Sequence, residues 1–116
     1  MKLNMRKKNL EINGKKVMHK VPHEEIIHVE SKGMNTFIHT VNGEIIKCCK
    51  NIGKIEKELQ PKCFFRTHTS YIVNLKKIRT FEKSKGGLLV MANYAVIPVS
   101  KRRKSHFLEV HKKYSS

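Results

Sequence analysis

Most of the chain alternates with a period of two. In Thr36-Phe37-Ile38-His39-Thr40-Val41, Phe37, His39 and Val41 share one side of an extended backbone and Thr36, Ile38 and Thr40 the other. Further short stretches with strand character are Asn9–Ile12, Ile26–Glu30, Lys77–Glu82, Leu88–Met91 and Ala95–Val99. Asn13-Gly14 predicts a hairpin turn between Asn9–Ile12 and Lys15–Lys20, and Asn42-Gly43 another between Thr36–Val41 and Glu44–Cys49. Pro22-His23-Glu24-Glu25 reads as a turn or a single helical turn, and Ser31-Lys32-Gly33-Met34-Asn35 breaks the strand before it. Turns at Lys85-Gly86-Gly87 and Ala92-Asn93-Tyr94 fold the later strands into a meander. Helical spacing replaces this pattern at Ile52, Ile55 and Leu59, between Asn51 as N-cap and Pro61 as stop. It returns at Phe107, Val110, His111 and Tyr114, in a helix expected from about Lys101 with Ser100 as N-cap. The pattern therefore predicts mostly short antiparallel strands with two helices.

One stretch departs from simple alternation. Phe64-Phe65 and Tyr71-Ile72-Val73 read as core anchors on either side of Arg66-Thr67-His68-Thr69-Ser70. A polar loop pinned at both ends by buried strand residues is rigidly held and suited to present donors to a partner. The plainer alternative is that Thr67, Thr69 and Ser70 satisfy backbone groups at a turn.

Charge narrows the choice of partner. Lys and Arg number 25 against 9 Asp and Glu, a formal charge of +16 over 116 residues. An excess of this size on a small domain favours a polyanion. An acidic membrane is the weaker candidate, because no basic amphipathic helix with a large apolar face is evident. No apolar run approaches the roughly 20 residues of a membrane helix, and the basic Met1–Lys8 segment lacks the apolar stretch of a signal peptide. The expectation is a cytoplasmic single domain spanning residues 1–116, with its core at about 9–114 and no membrane contact. Three cysteines without a C-x-x-C pair fit free thiols in a reducing compartment.

The start of the last helix carries an electrostatic conflict. Lys101, Arg102, Arg103 and Lys104 occupy the turn where the helix dipole is positive, so each cation costs a few tenths of a kcal/mol or more. A phosphate removes the conflict by attracting both the side chains and the free N–H groups. The alternative is that these side chains bend into water. In Ser31–Asn35, Lys32 offers a phosphate contact and Asn35 a base-edge contact.

Catalytic patterns are scarce. The sequence shows no H-x-x-x-H on a helix, no Cys/His zinc spacing, no G-x-S-x-G and no Walker-type loop. His28 and His39 lie in strands, where packing is a commoner role than ligation. A Cys63–His68 pairing is weakly supported, and Glu24-Glu25 is not a spaced acid and base. No enzyme activity, metal or cofactor is expected.

Three segments carry a family resemblance. Ile26-Ile27-His28-Val29-Glu30-Ser31-Lys32-Gly33 resembles "I-x-Y-I-E-S-x-G", and Phe64 to Asn74 resembles "F-x-R-x-H-R-S-Y-I-V-N". Ile97-Pro98-Val99-Ser100-Lys101-Arg102-Arg103 resembles "I-P-V-S-R-R-R". In content, order and spacing these are similar to the LytTR-type DNA-binding domain of bacterial transcription regulators, from about residue 9 onward. The resemblance implies a mainly β fold: an elongated arrangement of three small antiparallel sheets with two helices. It implies loops that enter successive major grooves of direct-repeat promoter sites in double-stranded DNA, and self-association on that DNA. It places contacts at Asn35, at His68 and Thr69, and at Lys101 with its neighbours. Together with the residue-level reading, the candidate DNA-binding set is Lys32, Asn35, Arg66, His68, Thr69, Ser70, Lys101, Arg102, Arg103 and Lys104. Thr69 and Lys101 stand where the family often has longer or arginine side chains. Family members usually carry a receiver domain upstream, and none is present in this chain, which reads as a free-standing regulator or a response-regulator output domain. The rival reading is a non-specific or RNA-binding basic protein, such as a ribosome-associated factor, which shares the charge without needing the three loops.

Overall fold

The fold is described from a computed structural model for residues 9–13, 17–84 and 86–115, with residues 114 and 115 described by backbone alone. In chain order the strands are β1 (Asn9–Asn13), β2 (Met18–Pro22), β3 (Ile26–Lys32), β4 (Asn35–Thr40) and β5 (Ile45–Cys48). Helix α1 (Ile52–Glu58) follows, then β6 (Phe64–His68), β7 (Tyr71–Asn74), β8 (Ile78–Glu82), β9 (Leu88–Met91), β10 (Val96–Pro98) and α2 (Lys104–Ser115). Single 3-10 turns occupy His23–Glu25, Leu75–Lys77 and Lys101–Arg103. The fold is mainly β, with three antiparallel sheets and two helices, as expected. Its principal extents are 45 × 40 × 25 Å.

The central sheet has the order β5-β4-β3-β7-β6, flanked by a β1-β2 pair and a β10-β9-β8 sheet. Register explains its two cores. Val29 lies opposite Ile38 on one side and Ile72 on the other, so the three share a face. Leu10, Ile12, Val21, Ile52, Ile55 and Leu59 close over that face. The opposite face carries Ile27 and Val73, covered by Leu89, Met91, Ile97, Val99 and Phe107. With both faces covered, β3 opens with four consecutive buried residues, Ile26 to Val29. Asn74, buried between the layers, donates from Nδ2 to the Ile26 carbonyl at 2.8 Å and accepts from the Lys76 N–H at 3.0 Å. It thus ties the end of β7 to the start of β3.

Three boundaries differ from the sequence expectation. The first ladder runs from Asn9 opposite Pro22 to Asn13 opposite Met18, so Asn13 belongs to the strand. Its expected turn partner Gly14 lies outside the described residues. Ser31–Asn35 does not interrupt the sheet. β3 runs on to Lys32, β4 starts at Asn35 opposite it, and Gly33-Met34 alone makes the turn. Gly33 has φ +62° while Met34 stays at negative φ, the pattern of a type II′ hairpin turn, whose twist matches the strands. Finally, the α-helix starts at Lys104, after a 3-10 turn over Lys101–Arg103, and the Ser100 side chain makes no capping hydrogen bond. The Ser100 carbonyl accepts from the Arg103 N–H at 3.0 Å instead.

Candidate functional site

Strand pairing brings two of the polar turns to one end of the central sheet. β3 and β7 are neighbours, and the Ser31 N–H donates to the Ser70 carbonyl at 2.8 Å, one step beyond the Glu30–Tyr71 pair. The Gly33-Met34 and Thr69-Ser70 turns therefore project side by side, about 10 Å apart at a strand spacing of about 4.8 Å. Lys32 is exposed and Asn35 half-buried at the base of the first turn. Met34, absent from the candidates drawn from sequence, is 95% exposed at its tip.

The second turn is braced from within. A register shift between Arg66 and His68 bulges β6, which buries Thr67 completely and turns its neighbours outward. The Arg66 guanidinium is occupied inside the chain. Nε donates to the His68 carbonyl at 3.0 Å, the second terminal nitrogen to the Thr69 carbonyl at 2.6 Å, and the first pairs with Glu56 at 2.7 Å. Arg66 thus holds the turn in shape and fastens it to α1. His68 Nδ1 accepts from the Ser70 N–H at 3.1 Å. This fixes the ring as the Nε2–H tautomer, with Nε2 a donor directed away from that bond. Thr69 is exposed and Ser70 half-buried. The Thr67 hydroxyl makes no hydrogen bond at all among the described residues, so its role is not to satisfy the turn backbone.

The third segment docks beside the second. The Ser100 N–H donates to the Thr67 carbonyl at 2.7 Å, and an Arg103 terminal nitrogen to the Arg66 carbonyl at 3.1 Å. These two bonds set the Lys101–Arg103 turn against the bulged end of β6. Lys104 Nζ reaches the Lys83 carbonyl at 3.4 Å. Of the four cations expected to face an anion, Lys101 and Arg102 are exposed, and their side chains make no hydrogen bond or ion pair among the described residues. Arg103 and Lys104 are half-buried and partly engaged with backbone. The fold thus brings the three expected loops together and divides the ten candidates into outward-facing groups and braces.

A separate cluster lies on the face of the central sheet, where His28 and Glu30 of the first family-like segment meet His39 of β4. His28 is directly opposite His39, and Glu30 follows two residues on, which puts all three on one side. The imidazoles stack at 4.0 Å between centroids with 17° between planes. His39 Nε2 stands 3.3 Å from Glu30 Oε1, out of line for a hydrogen bond, and His28 Nδ1 is buried without a partner. Burial, and then the facing His39, lower the His28 pKa to about 4. Tyr71 donates from its hydroxyl to Glu30 Oε2 at 3.4 Å, and its ring meets the His68 ring edge-on at 5.8 Å. Desolvation, then the Glu30 charge and hydrogen bond, raise the Tyr71 pKa. Only the cross-strand register unites these residues, so spacing along the chain could not reveal them.

A cavity of about 470 Å³ is lined by His23, Glu24, Gln60, Cys63, Phe64 and Asn74, among others. It does not assemble a nucleophile and base. Neither nitrogen of the buried His23 ring has a partner, and the Cys63 thiol points its weak hydrogen bond at Gln60 Oε1, 3.6 Å away. Cys48, Cys49 and Cys63 are all free thiols. Among the described residues no helix is long and apolar enough to cross a membrane.

A family profile described as the LytTr DNA-binding domain matches residues 16–112. A stretch of 79 residues, 66% of the chain, is 37% identical to the CO-responsive transcriptional regulator RcoM of Rhodospirillum rubrum, and covers 33% of that protein's length. Among solved structures, a LytTr DNA-binding domain from Bacillus cereus superposes with a TM-score of 0.79, covering 90% of this chain and 96% of the other at 24% sequence identity.

Proposed function

The chain belongs to the LytTr DNA-binding domain family, and from that premise we propose that it binds double-stranded DNA by sequence and so regulates bacterial transcription. In this reading the Gly33-Met34 turn, the Thr69-Ser70 turn and the Lys101–Arg103 segment enter successive major grooves of direct-repeat promoter sites. Copies associate on the repeats, and the domain works in the cytoplasm, alone or as the output part of a longer regulator. The observation that carries the reading is the tethering of all three polar segments to one end of the central sheet. The bonds responsible are Ser31 to Ser70, Ser100 to Thr67 and Arg103 to Arg66.

Roles follow from which groups are already engaged. His68 offers an Nε2–H donor to a base acceptor such as guanine O6 or N7, and Asn35 suits the N6/N7 edge of adenine. Thr69 and Ser70 add shorter polar contacts. Lys32, Lys101 and Arg102 carry free cationic heads for phosphate, with Lys101 also in reach of a base. Arg66 positions the second turn, while Arg103 and Lys104 position the third. No step calls for catalysis, in keeping with a DNA-binding family.

Footprinting on the region upstream of the protein's own gene, followed by affinity titrations at one fixed salt concentration, tests the proposal. Preference for the footprinted duplex over random duplex and over RNA of equal length supports it. Equal affinity for all three, or preference for RNA, replaces it with a non-specific or RNA-binding role.

A further inference from the structure

We propose that His28, Glu30 and His39 form a transition-metal site that takes zinc(II), or a comparable borderline ion, with water as the fourth ligand. Their donor atoms all lie within 4.8 Å of one another. The 3.3 Å between Glu30 Oε1 and His39 Nε2 is close to the roughly 3.4 Å that separates two donors held about 2.1 Å from one tetrahedral ion. His28 is 2% exposed, and its Nδ1 has no hydrogen-bond partner. A buried imidazole nitrogen left unpaired costs free energy that coordination of the ring returns. Glu30 also has a supporting contact of the kind that orients metal-binding carboxylates, the Tyr71 hydroxyl on its other oxygen.

The donor set selects the class of ion. Two imidazoles and one carboxylate suit zinc, nickel or copper, whereas magnesium and calcium prefer a shell of oxygens. The formal +16 charge of the chain opposes any cation, so the ion must be held by coordination rather than by the general field. Because the two rings stack, their lone pairs run side by side, and one ion cannot lie in both planes. Uptake therefore tilts the half-buried His39 ring out of the stack while His28 stays packed. The groups facing the cluster from neighbouring strands are Ile45, opposite His39, Val73, opposite His28, and Tyr71 and Phe37, on either side of Glu30; Lys47 lies two pairs beyond Ile45, opposite Phe37. The water-bearing position opens on the side of His39 and Glu30, whose side chains are 19% and 28% exposed.

The test uses untagged, metal-free protein, calorimetric titration with zinc(II), and cobalt(II) as the spectroscopic probe. The variants are His39→Ala and Glu30→Gln, both at partly exposed positions, with His19→Ala and Cys49→Ser as controls. The parent should bind one ion per chain and raise its melting temperature with zinc. Its cobalt form should show the intense visible absorption of a tetrahedral site without thiolate charge-transfer bands. Both site variants should lose more than about tenfold in affinity, and both controls should bind as the parent does. Undiminished binding in His39→Ala and Glu30→Gln, thiolate bands that vanish in Cys49→Ser, or no uptake by the parent would each overturn the assignment.

Discussion

At the scale of single residues, buried imidazoles make stability depend on acid. The folded pKa of His28 is about 4, below its ordinary 6.5, so between these values the unfolded chain binds the extra proton. Stability from this group is complete above about pH 6.5 and is lost as pH falls toward 4, by on the order of 3 kcal/mol in all. His23, whose pKa burial also lowers, acts in the same direction. Urea unfolding at stepped pH should show the midpoint falling between pH 6.5 and 4. His28→Tyr, which removes the imidazole and keeps an aromatic ring, should flatten much of that fall; an unchanged slope would mean that His28 is not the group responsible.

Arg103 also shows how one contact reverses a sequence argument. The dipole alone makes Arg103→Ala neutral or slightly stabilising, by a few tenths of a kcal/mol. The bond to the Arg66 carbonyl, worth about 0.5–1.5 kcal/mol, outweighs that gain and docks the third segment. Arg103→Ala should therefore lower the melting temperature modestly and weaken binding to every duplex. A mutant as stable as its parent would restore the dipole argument.

At the scale of elements, the hairpin turns are where conformation limits sequence. Nothing lies within 4 Å of a Cβ placed on Gly33, so steric crowding does not explain the glycine. Its φ of +62° does, and Gly33→Ala should cost about 1–2 kcal/mol through the backbone alone. A thermal melt of that variant checks the figure, and an unchanged midpoint would show that the turn adopts another geometry.

Much at this scale was legible in the sequence. The Asn51 cap is made as expected, its side chain accepting from the Lys54 N–H at 2.9 Å. The alternation in β4 correctly separates buried Thr36, Ile38 and Thr40 from half-buried Phe37 and His39. The three loops were legible from motif and charge together. What escaped depends on partners distant in sequence. The engagement of Arg66 with Glu56 needs α1 packed against the β6–β7 turn, and the stacking of His28 on His39 needs the strand register. Ser100 holds the N-cap position of the Lys101–Arg103 turn, as its type and place in the sequence suggest, but not through its side chain. In the fold its backbone N–H is drawn to Thr67, and its hydroxyl is left buried without a partner.

For the whole molecule, charge and loop geometry make separable contributions. Carboxylates are few and several are already paired: Glu56 with Arg66, Glu58 with Lys50 and Glu30 beside His39. The formal +16 is therefore largely available to a polyanion. If six to ten phosphates are neutralised, affinity should fall on the order of 10³–10⁵-fold between about 50 and 200 mM salt. A flat response would remove the electrostatic half of the account.

The central claim is that outward groups on two braced turns read bases while the cations beside them anchor phosphate. The direct measurement is a salt-dependent binding titration of the parent, Asn35→Ala, His68→Ala and Arg102→Ala on footprinted and random duplex. Losing a base contact should remove about 1–3 kcal/mol of preference for the footprinted site in Asn35→Ala and His68→Ala, with the salt slope unchanged. Arg102→Ala should weaken both duplexes alike and lower the slope by about one. The account is contradicted if Asn35→Ala and His68→Ala keep the parent's preference, or if Arg102→Ala loses only the footprinted site.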